Sequence, residues 1–318
     1  MRLLMGFRRP FQALEEALAS QGESLIPWQP GTPLPTHAFP VDGAVVDYSE
    51  AARHLTSMIR LTYHLRRQGA PLVAINRDAP WNKGVRPWRF GMLRRLGLLD
   101  ACLTHALQEN PATARRMVYF PNAAYVNRYH IGDLTLIGMR DPARYLYPVS
   151  FLGNIDAQRY REHRIRLEQL GALRELLARE GIVLHLFHAP DMTPARQVAV
   201  IQASVINLNL GAACDHGGAR SWGLAERCYG IPACGGFLLS DARQHAREDF
   251  LPGEEWLDFD TLEGCVQQIV TLLADFPRTR RIAEAAHARV MQQHTYAHRG
   301  MQLRRLLAEL KQERKPAN

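Results

Sequence analysis

No apolar run in the 318-residue sequence approaches the roughly 18 residues that suggest a membrane span. The opening stretch Met1 to Phe7 is too short for the apolar core of a secretory leader, and no small-residue cleavage site follows it. Cysteine is scarce. Cys102, Cys214, Cys228, Cys234 and Cys265 are odd in number and show no paired spacing, which argues against a disulfide framework and for a reducing, cytoplasmic compartment. There is no internal repeat and no low-complexity segment. Clustered metal ligands are missing too: Asp215-His216, beside Gly217-Gly218, has no second ligand at useful spacing. The second half lacks net charge. Residues 149–318 carry 21 Lys+Arg against 20 Asp+Glu, whereas residues 1–148 carry 18 against 11 and hold nearly all of the net +8.

What remains is the composition of a globular protein, 47% hydrophobic and 22% charged, long enough for two domains. Short apolar runs alternate with helical segments. Strands are expected at Arg2–Phe7, Ser24–Trp28, Gly43–Tyr48 and Leu72–Ile75, with weaker ones near Ala101–His105 and Met117–Phe120. Helices are expected at Phe11–Gln21 and, as one long element, at Glu50–Gln68, before the stop signals Gly69 and Pro71. The pattern restarts with strand Val149–Leu152, helix Arg159–Glu180, strand Ile182–Phe187 and a helix near Pro194–Ala203. Helices Thr261–Asp275, Arg278–Gln293 and Tyr296–Gln312 close the chain. This alternation predicts an α/β fold with parallel sheets. The expected division is 1–148, 149–295 and a closing helix in 296–318, with residues 128–148 as the crossing.

The most informative stretch is 205–241. Ser204 to Leu210 is short enough to be a buried parallel strand. A polar, Gly-rich loop ends at Gly217-Gly218, and a helix over Arg220–Tyr229 is stopped by Gly230-Ile231-Pro232. Gly235-Gly236 and the strand Phe237–Leu239 follow. Strand, Gly-rich loop and helix N-terminus together suit a phosphate-bearing ligand, because free backbone N–H groups collect where glycine lets it approach.

Arg227-Cys228-Tyr229-Gly230-Ile231-Pro232-Ala233-Cys234-Gly235-Gly236 resembles the signature of the "glycosyl transferases group 1" C-terminal domain, and most closely its spore-maturation (CgeB-like) branch. The similarity extends from Val149–Asn154 to Arg289–His298. It implies a GT-B glycosyltransferase: two Rossmann-like domains facing a cleft, with the C-terminal helix crossing back to the N-terminal domain. It also implies a UDP-, GDP- or dTDP-sugar donor, no tightly bound cofactor, and no metal. The family's Glu, which holds the donor ribose, is Gly230 here. Glu226, one helical turn earlier, is the residue that could reach the same hydroxyls. A catalytically degenerate nucleotide- or glycan-binding protein of the same fold is the alternative reading.

On this resemblance the donor residues are Gly153, Asn154, Arg159, Asn207, Asn209, Arg220, Glu226, Arg227, Gly235 and Gly236. A guanidinium supplies fixed bidentate donors for a diphosphate, and the sequence does not separate Arg159 from Arg161. Asn207 and Asn209 share one face of their strand. An inverting transfer needs a base at a strand end of the first domain, which points to Asp47 and Asp78, with His37 in a connector. The same aspartates also read as helix caps. A retaining transfer, toward which the analogy leans, can use the leaving phosphate instead. Arg77 to Arg95 holds six basic residues, two Trp and a Phe, which marks Arg86, Trp88 and Arg89 as acceptor-side residues. An anionic or lipid-linked glycan acceptor at the inner face of the membrane, with peripheral membrane contact, explains this charge better than nucleic acid.

Overall fold

Parallel strands need crossover connections, and helices between short apolar runs supply them. A computed structural model of the chain describes residues 1–35, 37, 39–77, 84–106, 114–158, 161–211 and 223–314, with only the backbone at 161–162. The chain divides into two units, Met1–Pro121 with Tyr296–Asn318, and Asn122–Thr295.

The first unit contains β1 (Arg2–Gly6), α1 (Gln12–Ser20), β2 (Ser24–Trp28), β3 (Gly43–Asp47), α2 (Tyr48–Arg53), α3 (Leu55–Arg67), β4 (Leu72–Asn76), α4 (Pro87–Arg95), β5 (Ala101–Thr104) and β6 (Arg116–Tyr119). The strands pair in parallel in the order β2-β1-β3-β4-β5-β6. Leu72–Asn76 is buried throughout, as expected of a strand covered on both faces. The long helix read over 50–68 is two helices, broken at His54 (φ −116°, ψ 52°). The apolar period runs through that break, so pattern alone could not locate it. The terminal helix Tyr296–Glu313 buries Leu303, Leu306, Leu307 and Leu310, an i, i+3, i+4, i+7 stripe. Arg299 Nε donates to the Pro121 carbonyl at 2.8 Å, and Arg314 forks onto Asp100 at 2.5 and 2.6 Å.

The second unit contains β7 (Tyr147–Gly153), α5 (Arg161–Arg179), β8 (Leu184–His188), α6 (Pro194–Gln202), β9 (Ser204–Asn209), α7 (Arg227–Ala233), β10 (Leu238–Asp241), α8 (Ala246–Asp249), β11 (Leu257–Phe259), α9 (Leu262–Ala274) and α10 (Phe276–Gln293). Its parallel order is β11-β10-β9-β7-β8. Phe151, Leu170, Leu173, Leu208 and Phe237 form the core between sheet and helices. Both units are therefore Rossmann-like α/β domains built on parallel sheets.

The boundary between units falls after Pro121, not at 148. Residues 122–148 carry few strand or helix signals, yet they are bonded into the second unit. Ala124 N–H donates to His294 O at 2.8 Å, Arg140 forks onto Glu284 at 2.8 and 2.6 Å, and Tyr147 N–H donates to Ala203 O at 3.0 Å. Redrawing the boundary sharpens the charge asymmetry. The first unit carries 21 Lys+Arg against 11 Asp+Glu (+10), and the second carries 18 against 20 (−2). Among the described residues, no helix is long and apolar enough to cross a membrane. Cys102, Cys228, Cys234 and Cys265 are buried thiols, and Cys214 lies outside the described residues.

Candidate functional site

In an open parallel sheet, ligands bind beyond the carboxyl ends of the strands where the strand order reverses. In the second unit that reversal lies between β7 and β9. β7 ends at Gly153, and Gly211 follows β9 with φ +51°. Arg166 of α5, only 3% exposed, ties the two loops together. Its guanidinium donates to Gly211 O at 3.0 Å and to Asn154 O. Asn154 Oδ1 accepts from Asp156 N–H at 2.9 Å, which closes a tight turn.

Arg227 opens α7 and reaches the same place. Its guanidinium lies 5.6 Å from the Phe151 ring centroid, a cation–π contact that fixes its direction. A Cβ built at Gly153 would sit 2.7 Å from Arg227 Nη1 and 2.8 Å from Phe151 Cζ, so only glycine admits this arrangement without displacement. Gly153, Asn154, Arg227 and Gly230 line one cavity of about 220 Å³ with Tyr129, Gln197, Leu152, Ala189, Ile201 and Ile231.

Gly230 is covered. A Cβ there would meet Tyr129 Cδ2 and Cγ at 3.3 Å. The Tyr129 hydroxyl donates to Gln197 Oε1 at 2.8 Å, to which Arg128 Nη2 also donates at 3.2 Å. Gln197 Nε2 in turn donates to the Ala189 and Met192 carbonyls at 2.8 and 3.2 Å. Burial is the main reason the Tyr129 hydroxyl stays protonated above its ordinary range. Glu226 precedes α7, and it is not among the residues lining the cavity.

The other predicted donor residues do different work. The helix expected to stop at Gly230-Ile231-Pro232 runs through them as α7 and ends at Ala233. A proline is tolerated there because so short a helix loses a single internal hydrogen bond. The stop is Gly235, in the left-handed region at φ +76°. Gly235 N–H donates to Pro232 O at 2.8 Å and Gly236 N–H to Ile231 O at 3.0 Å, the paired bonds of a glycine C-cap. Added Cβ atoms would strike Met139 Sδ at 2.6 Å and Ile201 Cγ2 at 2.8 Å, so the Gly-Gly pair is packed in protein. Burial pushes the Cys234 thiol up to about 12, so this motif cysteine is a packing group and not a nucleophile. Asn207 donates to Ile201 O and Phe237 O, both at 3.2 Å, and Asn209 to Ser240 Oγ at 2.8 Å, joining β9 to its neighbours. Arg159 and Arg220 lie outside the described residues.

In the first unit, Asp47 ends β3 and its Oδ1 accepts from Ser49 and Glu50 N–H at 2.9 and 3.0 Å, as the cap of α2. Asp78 lies outside the described residues. Arg86 and Trp88 are exposed at the start of α4. Arg89 donates to Arg53 O at 2.6 Å and lies 5.1 Å from the Trp88 ring centroid. Sequence reasoning missed Arg166 and Tyr129, and also the buried row Asn76, Thr104 and His105 at the ends of β4 and β5. Arg166 hides inside a charged helical run, and nothing in the sequence couples Tyr129 to a glycine a hundred residues away. The polar turn after the β5 run was the available signal for His105. Among the described residues, no three His, Cys, Asp or Glu side chains are grouped to hold a metal ion.

The model of a protein family described as glycosyl transferase-like matches residues 143–305, half of the chain. No curated protein matches the sequence. Solved structures do share the fold. The sucrose-phosphate synthase of Thermosynechococcus elongatus superposes with a TM-score of 0.64 at 12% identity, over 98% of this chain and 99% of that one. The Anabaena protein HepE, solved with UDP and glucose, gives 0.61 at 11% identity, over 97% and 100%. A UDP-forming α,α-trehalose-phosphate synthase from Burkholderia vietnamiensis gives 0.55 at 8% identity, over 98% and 99%. These are GT-B structures, and the two Rossmann-like units here have that fold.

Proposed function

The chain belongs to the glycosyl transferase-like family, and from that premise we propose that it moves a sugar from a nucleoside-diphosphate donor to a hydroxyl acceptor. The observation that carries this reading is a cavity at the end of β7, which gathers the Gly153-Asn154 turn and the Arg227 guanidinium. Breaking the bond between the anomeric carbon and the diphosphate oxygen leaves negative charge on the leaving group. Arg227 balances it, aimed in advance by Phe151, while the turn at Gly153 lets the phosphates approach backbone N–H groups. No metal enters this scheme. UDP is the first nucleotide to try, because the HepE structure holds it, with GDP and dTDP as the other choices.

Among the described residues, Asp47 is the one carboxylate ending a strand of the first sheet, and it already serves as a cap. We keep the retaining transfer that the family analogy favours, in which the leaving phosphate takes the acceptor proton. Asp47→Ala is expected to lower stability by about 1 kcal/mol, the usual cost of losing such a cap, with kcat unchanged in the folded protein. A folded Asp47→Ala protein with kcat down a hundredfold would return Asp47 to the chemistry. The +10 charge of the first unit favours an anionic, lipid-linked glycan acceptor, with Arg86, Trp88 and Arg89 on its side.

Binding and turnover are tested separately. UDP at a hundred times its Kd should stabilise the protein by about 2.7 kcal/mol and raise its Tm by several degrees. An active transferase also hydrolyses its sugar nucleotide slowly without acceptor. A Tm shift without hydrolysis or transfer would mark a degenerate binding protein, and no shift with any nucleoside diphosphate would overturn the donor site.

A further inference from the structure

The first unit has a second unusual surface, which the donor site does not use. α3 buries Met58, Leu61, Thr62 and Leu65. Its outer side presents Ile59 at 47% and Tyr63 at 58% exposure, beside the exposed Arg60, Arg66 and Arg67. Leu96, just past α4, is 40% exposed and joins Ile59, Tyr63, Arg66 and Arg67 in lining an open apolar groove of about 550 Å³. The arginines are organised around it. Arg66 Nη2 donates to Gly97 O at 2.7 Å and so links α3 to the end of α4. Arg67 Nη1 donates to the Tyr63 hydroxyl at 3.1 Å, with its guanidinium 5.7 Å from that ring. Residues 55–98 contain nine Lys+Arg and one acid, Asp78, and neither α3 nor α4 carries an acidic residue.

We propose that this face of α3 and the end of α4 docks on an anionic lipid bilayer. Three large apolar side chains beside arginines, on two helices that carry no acid, match the boundary between headgroups and acyl chains. Ile59 and Leu96 enter the acyl layer, and Tyr63 keeps its hydroxyl at headgroup level. The arginine stems lie along the apolar surface while their guanidinium groups meet lipid phosphates. A second copy is a poor occupant, because a two-fold contact sets the same arginines against one another. The groove lies toward the end of the first sheet where its strands begin, since α3 leads into β4 and α4 into β5. It is therefore distinct from the strand-end row of Asp47, Asn76 and His105. The inference does not depend on the transferase reading, because lipid binding needs neither donor nor acceptor.

The test is vesicle flotation with the full chain, using phosphatidylcholine alone or with about one-third phosphatidylglycerol, at low and high salt. Binding is expected to the mixed vesicles at low salt only, since added salt screens the headgroup charge. Two variants separate the contributions. Arg60→Glu with Arg67→Glu reverses the charge, and Ile59→Ser with Leu96→Ser removes the apolar part, while Arg66 keeps its backbone contact. Each should lower partitioning at least tenfold and leave the UDP-dependent Tm shift and the circular dichroism spectrum unchanged. Three results overturn the proposal: no binding to anionic vesicles, equal binding to neutral ones, or unchanged binding in either folded variant. So does a salt-sensitive affinity for duplex DNA that outcompetes the vesicles. A dimer lost in the Ile59/Leu96 variant, without lipid binding, assigns the groove to self-association.

Discussion

Arg227→Ala should weaken nucleoside-diphosphate binding by about tenfold to 150-fold, equivalent to roughly 1.5–3 kcal/mol for a hydrogen bond to a charged group. The site around it explains why the loss should be large. Arg227 is held over Phe151 and above a turn that carries no side chain at Gly153, so its charge is delivered in a fixed direction. Lysine cannot reproduce the planar fork, and Arg227→Lys is expected to recover only part of the affinity. Gly153→Ala provides the complementary test. Its new Cβ would fall within 3 Å of both the guanidinium and the ring, displacing Arg227 without removing it. Calorimetric titration with UDP measures all three, and full affinity in a folded Arg227→Ala protein would remove this residue from the site.

Gly230→Glu should fail to restore the carboxylate that the resembled family carries at this position. The Tyr129 ring already lies 3.3 Å from where a Cβ would start, and its hydroxyl is committed to Gln197. Forcing a larger side chain into such a site costs about 1–3 kcal/mol, so both Tm and donor affinity should fall. Adding Tyr129→Ala should return stability by opening the space. Glu226→Gln should leave the preference for a ribonucleotide over its 2′-deoxy analogue unchanged, since Glu226 does not line the cavity. Thermal melts and paired titrations decide the matter. A Gly230→Glu protein that binds the ribonucleotide more tightly than wild type, with full stability, would show that Tyr129 yields and the carboxylate is merely missing.

The α/β class and most of the strands were legible because a buried parallel strand is a short apolar run bounded by turn residues, as at Leu72–Asn76 and Ser204–Asn209, whereas the three-residue β11 has no such run and was not read. The candidate site was legible where one residue type has one evident use, as with Gly153 at the end of β7. It was not legible where several uses compete. Gly235-Gly236 reads as a phosphate loop in sequence and serves as a helix stop in space, since both roles need a backbone without Cβ. Asp47 was open to two roles in the same way, and its two backbone hydrogen bonds are those of a cap. Tyr129 illustrates another limit. It meets Gly230 across a hundred residues, through a segment whose own pattern says only that it connects.

The terminal helix gives the chain an interrupted topology. Asn122–Thr295 is a contiguous cassette, whereas the other unit is assembled from two stretches on either side of it. In synthesis the cassette can close as soon as Thr295 has emerged. The flanking unit must wait for Tyr296–Glu313, with its leucine stripe and its Asp100 clasp. Domains fold as units during translation, usually N-terminal first, and the interrupted first unit here predicts the reverse order. A fragment cut at residue 121 would expose the side of its sheet that those leucines cover, while 122–295 keeps its sheet and core intact as a natural unit for transplantation.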